Sequence, residues 1–460
     1  MRPAQIVTEL SAFEGRGAGT DAERRAARRM ARELEAPGRA VRVETFWCRP
    51  NWAFAHVWHV ALGLAGSLVA VSSPHFGGAL VLVALLSVLA DERLGISPGR
   101  RLTREHASQN VIGVPRPAPR GAAPAAPAAP AAPAAPAAPA TLAADPVHLI
   151  ITANYDAGRA GLAYRDWVRG PFARLQRLAG GRLPGWLAWT AFALVWLIVV
   201  ALLRIEGHKT GAVGALQLIP TVGLVLALAV LIDLATADFS PAANDDGSGV
   251  AAALALAKAL AAAPPSARIT VEVVLAGAGD GFGLGLRAYL RSRRNELRAP
   301  NTIVLGIAPC GAGEPRWWRS DGQLVPLRYF ARLQRLCAGL AADVPSLAFR
   351  PHRGRGATPA FPGRSRRLPA IALGRLDDRG LAPHSHQSKD TADEVDPKAL
   401  DATVQLGLML VDAIDTFLQD RPPEPPRGSG ASGWGDRIAL RRPLPVLGRR
   451  QRKSADQLHT

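Results

Sequence analysis

Four apolar stretches, arranged as two pairs, constrain this chain more than any other feature of its 460 residues. The first pair runs from Ala53 to Val71 and, after Ser72-Ser73-Pro74, from Phe76 to Ala90. The second runs from Pro184 to Leu203 and from Gly211 to Leu234, across the polar turn Arg204-Ile-Glu-Gly-His-Lys-Thr210. A helix crossing a hydrocarbon core of about 30 Å needs about 20 such residues. Phe76 to Ala90 is short by that measure, and its sequence fits either a full crossing or a dip into the membrane. Trp186, Trp189 and Trp196 supply aromatic anchors near one end of the third stretch. Ala/Leu-rich helices in a large soluble core would share this composition, but the length and pairing of the stretches favour transmembrane spans.

Two hairpins put everything outside them on one side of the bilayer. Arg49 precedes the first span, Arg93, Arg100, Arg101 and Arg104 follow the second, and Arg174, Arg177 and Arg182 precede the third. The hairpin tips carry little positive charge beyond Arg204 and Lys209. The positive-inside rule therefore predicts a multi-pass protein of the cell membrane with both termini and the soluble body in the cytoplasm. Met1 to Asn51 is charged throughout, so no cleaved signal peptide is expected at its start.

The arginine collars also explain an odd pairing of bulk properties. The net charge is +18, from 55 basic and 37 acidic residues, yet the mean hydropathy is +0.08. A nucleic-acid binder this basic would be polar overall, and the basic patches lack the interleaved aromatics of a single-strand binder, so no nucleic-acid partner is expected. The lipid bilayer is the expected partner, with a peptide or protein ligand for the body. Cys48, Cys310 and Cys337 lie too far apart for a CxxC site and are too few for a disulfide scaffold.

Composition then divides the chain. Residues 1–52 open a soluble body, 53–91 form the first hairpin, 105–180 return to the body, 184–236 form the second hairpin, and 238–419 make up the main body. Within the return, 117–142 is a run of Ala-Ala-Pro repeats, expected to be a stiff polyproline-like linker at the tip of a hairpin between Asn110–Val114 and Val147–Ala153. Residues 420–460 read as a disordered basic tail, with nine basic against three acidic residues from Arg421 onward, suited to anionic lipid head groups.

The body alternates helix and strand. Thr20-Asp-Ala-Glu23 is a capping-box start to a helix reaching about Glu35, and Val41 to Phe46 alternates as a strand. Asp246-Gly-Ser248 opens an Ala-rich helix to about Ala263; Arg287 to Arg298 and Pro397 to Gln419 are also helical. Ile269–Leu275, Thr302–Ile307 and Pro369–Leu373 read as buried strands. This order predicts an α/β fold with a mixed, largely parallel sheet, whose sites lie at the carboxyl ends of the strands.

Those ends carry Asn154-Tyr-Asp156, Asn244-Asp-Asp-Gly-Ser-Gly249, Gly277-Ala-Gly-Asp280 and His384-Ser-His-Gln-Ser-Lys-Asp390. Asp and His residues gathered there suggest a metal-binding or hydrolytic site, although each string taken singly also suits a turn, a helix cap or a plain surface loop. GxGxxG, a Walker lysine, HExxH and GxSxG are all absent, which disfavours dinucleotide, thermolysin-like and serine-hydrolase chemistry.

In order along the chain, these strings resemble the two-zinc aminopeptidases of metallopeptidase family 28. Glu14–Thr20 resembles that family's opening, Ser108–Val114 its first paired strand, and Ala243-Asn-Asp-Asp-Gly-Ser-Gly249 its Ala-Asn-Asp-x-x-Ser-Gly. His386-Gln-Ser-Lys-Asp-Thr391 is similar to its final His-x-x-x-Asp-Thr. The resemblance implies a three-layer zinc-aminopeptidase-like sandwich, here with four transmembrane helices inserted as two hairpins. It implies Asp245 as the carboxylate bridging two metals, His386 as a terminal ligand, and Asp280 in place of a glutamate ligand. Those three residues would suffice for one zinc ion with a water.

The rest of the implied site is thinned. Asn154 stands at a histidine ligand, Ala308 at a carboxylate ligand, and Asp156 at the aspartate that orients the missing histidine. Gly279 stands where the family has the glutamate that shuttles the proton, and loss of a general acid/base costs about 10²–10⁴-fold in rate. His384 is the nearest substitute base by sequence. One zinc ion or none is expected. Two functions follow as expectations: a non-catalytic peptidase homologue that binds a ligand in the old cleft, or an active zinc-dependent aminopeptidase using one metal and a substitute base. A third is a scaffold packed on its own hairpins.

Overall fold

A computed structural model describes residues 2–36, 38–116, 146–208 and 210–420. The Ala-Ala-Pro linker and the basic tail from Arg421 lie outside the described residues. In chain order the helices are α1 Pro3–Ser11, α2 Asp21–Glu35, α3 Trp52–Ser72, α4 Pro74–Leu94, α5 Pro98–Arg101, α6 Asp166–Leu178, α7 Trp186–Ile205, α8 Gly211–Thr236, α9 Gly249–Ala262, α10 Leu284–Ser292, α11 Ala331–Asp343, α12 Phe361–Ser365 and α13 Pro397–Gln419. The strands are β1 Arg39–Cys48, β2 His106–Pro115, β3 Val147–Asn154, β4 Ile269–Ala276, β5 Thr302–Ile307, β6 Glu314–Asp321, β7 Leu327–Arg328, β8 Arg350–Arg353 and β9 Ala370–Leu376.

The sheet order is β1-β2-β4-β3-β5-β9-β6-β7, with β8 paired to β6. Its centre, β4-β3-β5-β9, is parallel; β1 and β2 join one side antiparallel, and β6 joins β9 antiparallel on the other. Near-continuous apolar runs such as Ile303–Ile307 and Ala370–Leu373 are what strands covered on both faces require. One layer of helices gathers α9 and α13 with α1, α2 and α11, while α10 and α12 pack together against the sheet elsewhere. The α/β expectation, with a mixed and largely parallel sheet, is met.

One expectation is corrected. β2 and β3 do not form a hairpin around the linker, because β4 lies between them, antiparallel to β2 and parallel to β3. The connection therefore steps over one strand, a distance of about 10 Å at the usual strand spacing. That is trivial for a linker this long, and it lets β3 join the buried parallel centre, where its apolar side chains are covered on both faces.

The four apolar stretches form four helices long and apolar enough to cross a membrane. The short second stretch is extended by its neighbours: Pro74 starts α4 immediately after Ser73, and Asp91-Glu92-Arg93 continue it, giving 21 residues, the same as α3. α3 packs on α4 and α8, and α7 packs on α4 and α8, so the two hairpins close into a bundle. Small residues set the α3–α4 crossing, where a side chain on Gly77 would begin 2.3 Å from the Ala70 backbone. Inside the bundle, Ser67 and Thr221 hydroxyls meet at 2.8 Å, and Arg204 donates to Gln217 at 2.9 Å.

Two attachments fix the bundle to the body. Arg100 on α5 donates from Nε and Nη2 to the two oxygens of buried Asp91, each at 2.8 Å, and from Nη1 to the Arg49 carbonyl at 2.7 Å. Phe282 and Leu324, from body loops, are buried in the same apolar cluster as Trp52, Leu187 and Leu234 of the bundle. All three cysteines are free and buried.

Candidate functional site

The carboxyl ends of β3, β4 and β5 lie level across the sheet: Asn154 pairs with Ala276, and Thr152 with Gly306. Residues just beyond these ends, Asp156, Gly279–Asp280 and Ala308, therefore converge. The turn before α9 brings Asp245 and Asp246, and the loop after β9 brings Ser385 and His386. Asn154, Asp156, Asp245, Asp246, Gly279, Asp280, Ala308 and His386 all line one cavity. His384 does not line it. Its Nε2 faces Glu394 Oε2 at 3.4 Å, and its buried Nδ1 has no hydrogen-bond partner. The substitute base expected from the sequence is thus turned away from the cleft.

Backbone donors account for two of the carboxylates. Asp156 accepts from the Gly279 and Asp280 amides at 2.6 and 3.1 Å, holding the loop after β4. Asp390 accepts from the Asn244 and Asp245 amides at 2.6 and 3.0 Å, holding the turn before α9. Burial, more than any other cause, pushes the Asp390 carboxyl up to about 7. Burial first, then Glu23 and Asp280, hold Asp156 well above the usual carboxylate range. Asp246 is raised in the same way, by burial and then by Asp245, Asp156 and Asp390. Buried Arg16 lies among these charges, donating to the carbonyls of Tyr155 at 2.7 Å and Ala242 at 3.0 Å. Burial lowers its guanidinium to about 10 against the pull of Asp156, Asp390 and Asp246.

Of the groups expected to hold zinc, Asp245 and Asp280 face protein donors, and His386 turns its ring nitrogens to two acceptors. Asp245 accepts from the Ser385 hydroxyl, and its Oδ2 is 3.7 Å from His386 Nε2. His386 Nδ1 is 3.1 Å from the Arg159 carbonyl, so a neutral ring carries its proton there. The ring stacks on Tyr164, with centroids 4.2 Å apart and planes at 14°, and it fits only because Gly158 has no side chain. Asp280 Oδ2 faces the Trp52 indole N–H at 3.4 Å. Among the described residues, no group of three or more His, Cys, Asp or Glu is placed to hold a metal ion. With Asn154 an amide and Ala308 a methyl, the donor set does not fit the second zinc ion of a two-metal centre.

Gly279 is tightly constrained as well. A Cβ there would lie 2.1 Å from Asn154 Cγ and 2.4 Å from its Cβ. No side chain, the family's glutamate included, enters at residue 279 while Asn154 keeps its place. Asn154 Oδ1 and Asp246 Oδ1 are both buried without a partner.

Residues 231–411 match the model of peptidase family M28. The chain carries an M28 peptidase-like domain. Solved structures with a similar course include the Legionella pneumophila LapA aminopeptidase, at 11% identity and TM-score 0.47, covering 90% of this chain and 71% of that one. The zinc aminopeptidase BSAP from Bacillus subtilis is similar at 13% identity and TM-score 0.47, covering 90% and 94%. A Bacteroides thetaiotaomicron glutaminyl cyclase bound to N-acetylhistamine is similar at 13% and 0.47, covering 89% and 96%. No curated protein matches the sequence.

Set beside the M28 motifs, Asp245, Asp280 and His386 all reach the cleft. Trp52, Tyr164 and Ser385 were not expected there. Trp52 and Tyr164 carry no local motif and arrive through tertiary packing, one as the first residue of the apolar helix α3. Ser385 sits inside the string that marks His386, where the flanking histidines carry the metal-ligand signal and a serine carries none.

Proposed function

We propose that this chain is an integral membrane protein whose M28-like domain binds a ligand in the former substrate cleft and does not hydrolyse it. The observation that carries this reading is the contact at Gly279, where the position of the proton shuttle is filled by the Asn154 side chain. The same asparagine has replaced a metal-binding imidazole, so one residue removes a ligand and closes the space of the base. Ala308 supplies no carboxylate, and His384 is engaged by Glu394. The cleft remains roomy, polar at its floor and lined by aromatic side chains, which suits binding. Both termini and the body are assigned to the cytoplasm by the arginine collars.

Zinc stoichiometry tests this reading. The full chain, purified in detergent with zinc present and then desalted, is expected to keep far less than one zinc per chain by mass spectrometry, with no difference in Asp245→Ala. About one zinc per chain, lost in Asp245→Ala, would overturn it in favour of the one-metal aminopeptidase.

A further inference from the structure

The cavity that holds the former active site does not end there. It extends over a volume of about 1410 Å³ onto the outer face of α7 and α8, above the roughly 300–1,000 Å³ typical of small-molecule sites. On α7 its wall is Trp189, Phe192 and Trp196, spaced by three and four residues and so on one helical face. Trp189 and Phe192 are 46% and 53% exposed, and each ring of the three meets the next edge-on. Between these rings and Val230 on α8, the floor is made of small residues: Ala193, Gly223 and Ala227. A Cβ at Gly223 would meet nothing within 4 Å. Large side chains flanking a floor of small ones make a groove along the span.

The other end of this groove is basic. Arg319, Arg350, Arg353 and Arg355, from β6, β8 and the loop after β8, line it, and none has a carboxylate within ion-pair distance among the described residues. Their neighbours Arg169, Arg177, Arg316 and Arg379 are all paired, with Asp166, Asp378, Glu314 and Asp377. Arg355 donates to the Gly181 carbonyl at 2.8 Å, and its Nε is buried without a partner. Gly181 lies a few residues before Trp186, where α7 begins, so these arginines sit at the level where the span starts. Burial and the adjacent Arg353 pull the Arg355 guanidinium down, an unfavourable arrangement that an anion between them relieves.

We infer that this cavity is a lateral lipid site and that its occupant is an anionic phospholipid, with an acyl chain in the α7–α8 groove and its phosphate among Arg319, Arg350, Arg353 and Arg355. Guanidinium groups recognise phosphate through charge and forked donors. The apolar groove explains why the ligand comes from the bilayer: a free phosphate would leave it empty. The inference rests on the proposed reading of the cleft as a binding site, and it names the ligand class.

The test uses the full chain in nanodiscs of mixed phosphatidylglycerol and phosphatidylcholine, followed by detergent release and native mass spectrometry. The expected result is one phosphatidylglycerol retained per chain in preference to phosphatidylcholine. In the double variant Arg353→Ser/Arg355→Ser that preference falls roughly tenfold or more. Gly223→Phe fills the groove without touching the arginines and is expected to lose both lipids, whereas millimolar inorganic phosphate displaces neither. Equal retention of the two lipids, or retention unchanged in both variants, overturns the inference. Displacement by inorganic phosphate also overturns it and assigns the arginines to a soluble anion. Zinc-dependent turnover would sink the non-catalytic reading while leaving lipid preference measurable, so the two failures are distinguishable.

Discussion

At residue scale the decisive feature is a pair. Gly279 and Asn154 occupy one small space at the ends of β4 and β3, and neither can change alone without consequence. Gly279→Ala is expected to destabilise the protein by about 1–3 kcal/mol, as overpacking does in a close-packed core. Adding Asn154→Ala should recover most of that loss, and thermal unfolding of the two single variants and the double measures the coupling. Additive losses would show that the two side chains do not compete. A second residue-scale prediction concerns Glu23, which accepts hydrogen bonds from the Gly19 amide, the Ser108 hydroxyl and the Ala278 amide. Burial outweighs these donors and pushes its carboxyl from the ordinary 4.5 up to about 6. A raised carboxyl binds its proton more tightly when folded, so its contribution is fully present below pH 4.5 and is lost as pH rises through about 6. That contribution is about 2 kcal/mol. Unfolding midpoints across this window should fall in the native chain and fall less steeply in Glu23→Gln, where raised carboxyls such as Asp390 still titrate; parallel profiles would contradict the assignment.

At element scale the junction between hairpin and body carries the load. Asp91, near the end of α4, is fully buried and held by both arms of the Arg100 fork. Asp91→Leu leaves that guanidinium buried and uncompensated, which is expected to cost about 3–5 kcal/mol. Asp91→Leu/Arg100→Leu should regain part of it, read from thermal unfolding in detergent; a loss below about 1 kcal/mol in the single variant would mean the pair is solvated. Elements with one strong periodic signal were legible in the sequence: the buried strands β4, β5 and β9, the long closing helix α13, and three of the four long apolar helices. The length of α4 was not, because its last turn is built from Asp91, Glu92 and Arg93, which read as the end of an apolar stretch. Nor was the outer part of the sheet, since β6 and β8 carry charged residues such as Glu314, Arg316, Arg350 and Arg353. Asp245 and His386 were legible because their motifs are local strings. The crowding of Gly279 by Asn154 was not, because it joins residues more than a hundred positions apart.

At the scale of the whole molecule, the hairpins, the arginine collars and the cleft belong to one arrangement: a peptidase-like body seated on a bundle whose first residues, Trp52 and Trp186, reach its cavity. If the body is cytoplasmic, the turn between α7 and α8 faces the opposite side. The three native cysteines are buried and give no labelling background. A membrane-impermeant thiol reagent on intact cells should therefore label Glu206→Cys in that turn and leave Lys398→Cys, on the body, unlabelled until the cells are opened. The reverse pattern would invert the topology.

The central claim, that an M28-like body has kept its cleft and lost its chemistry, meets its most direct test in one measurement: release of free amino acids from N-terminal peptide amides by the purified full chain with zinc supplied. The account predicts no release above the buffer blank, and none that Asp245→Ala abolishes. Turnover that requires zinc and disappears in Asp245→Ala would contradict it.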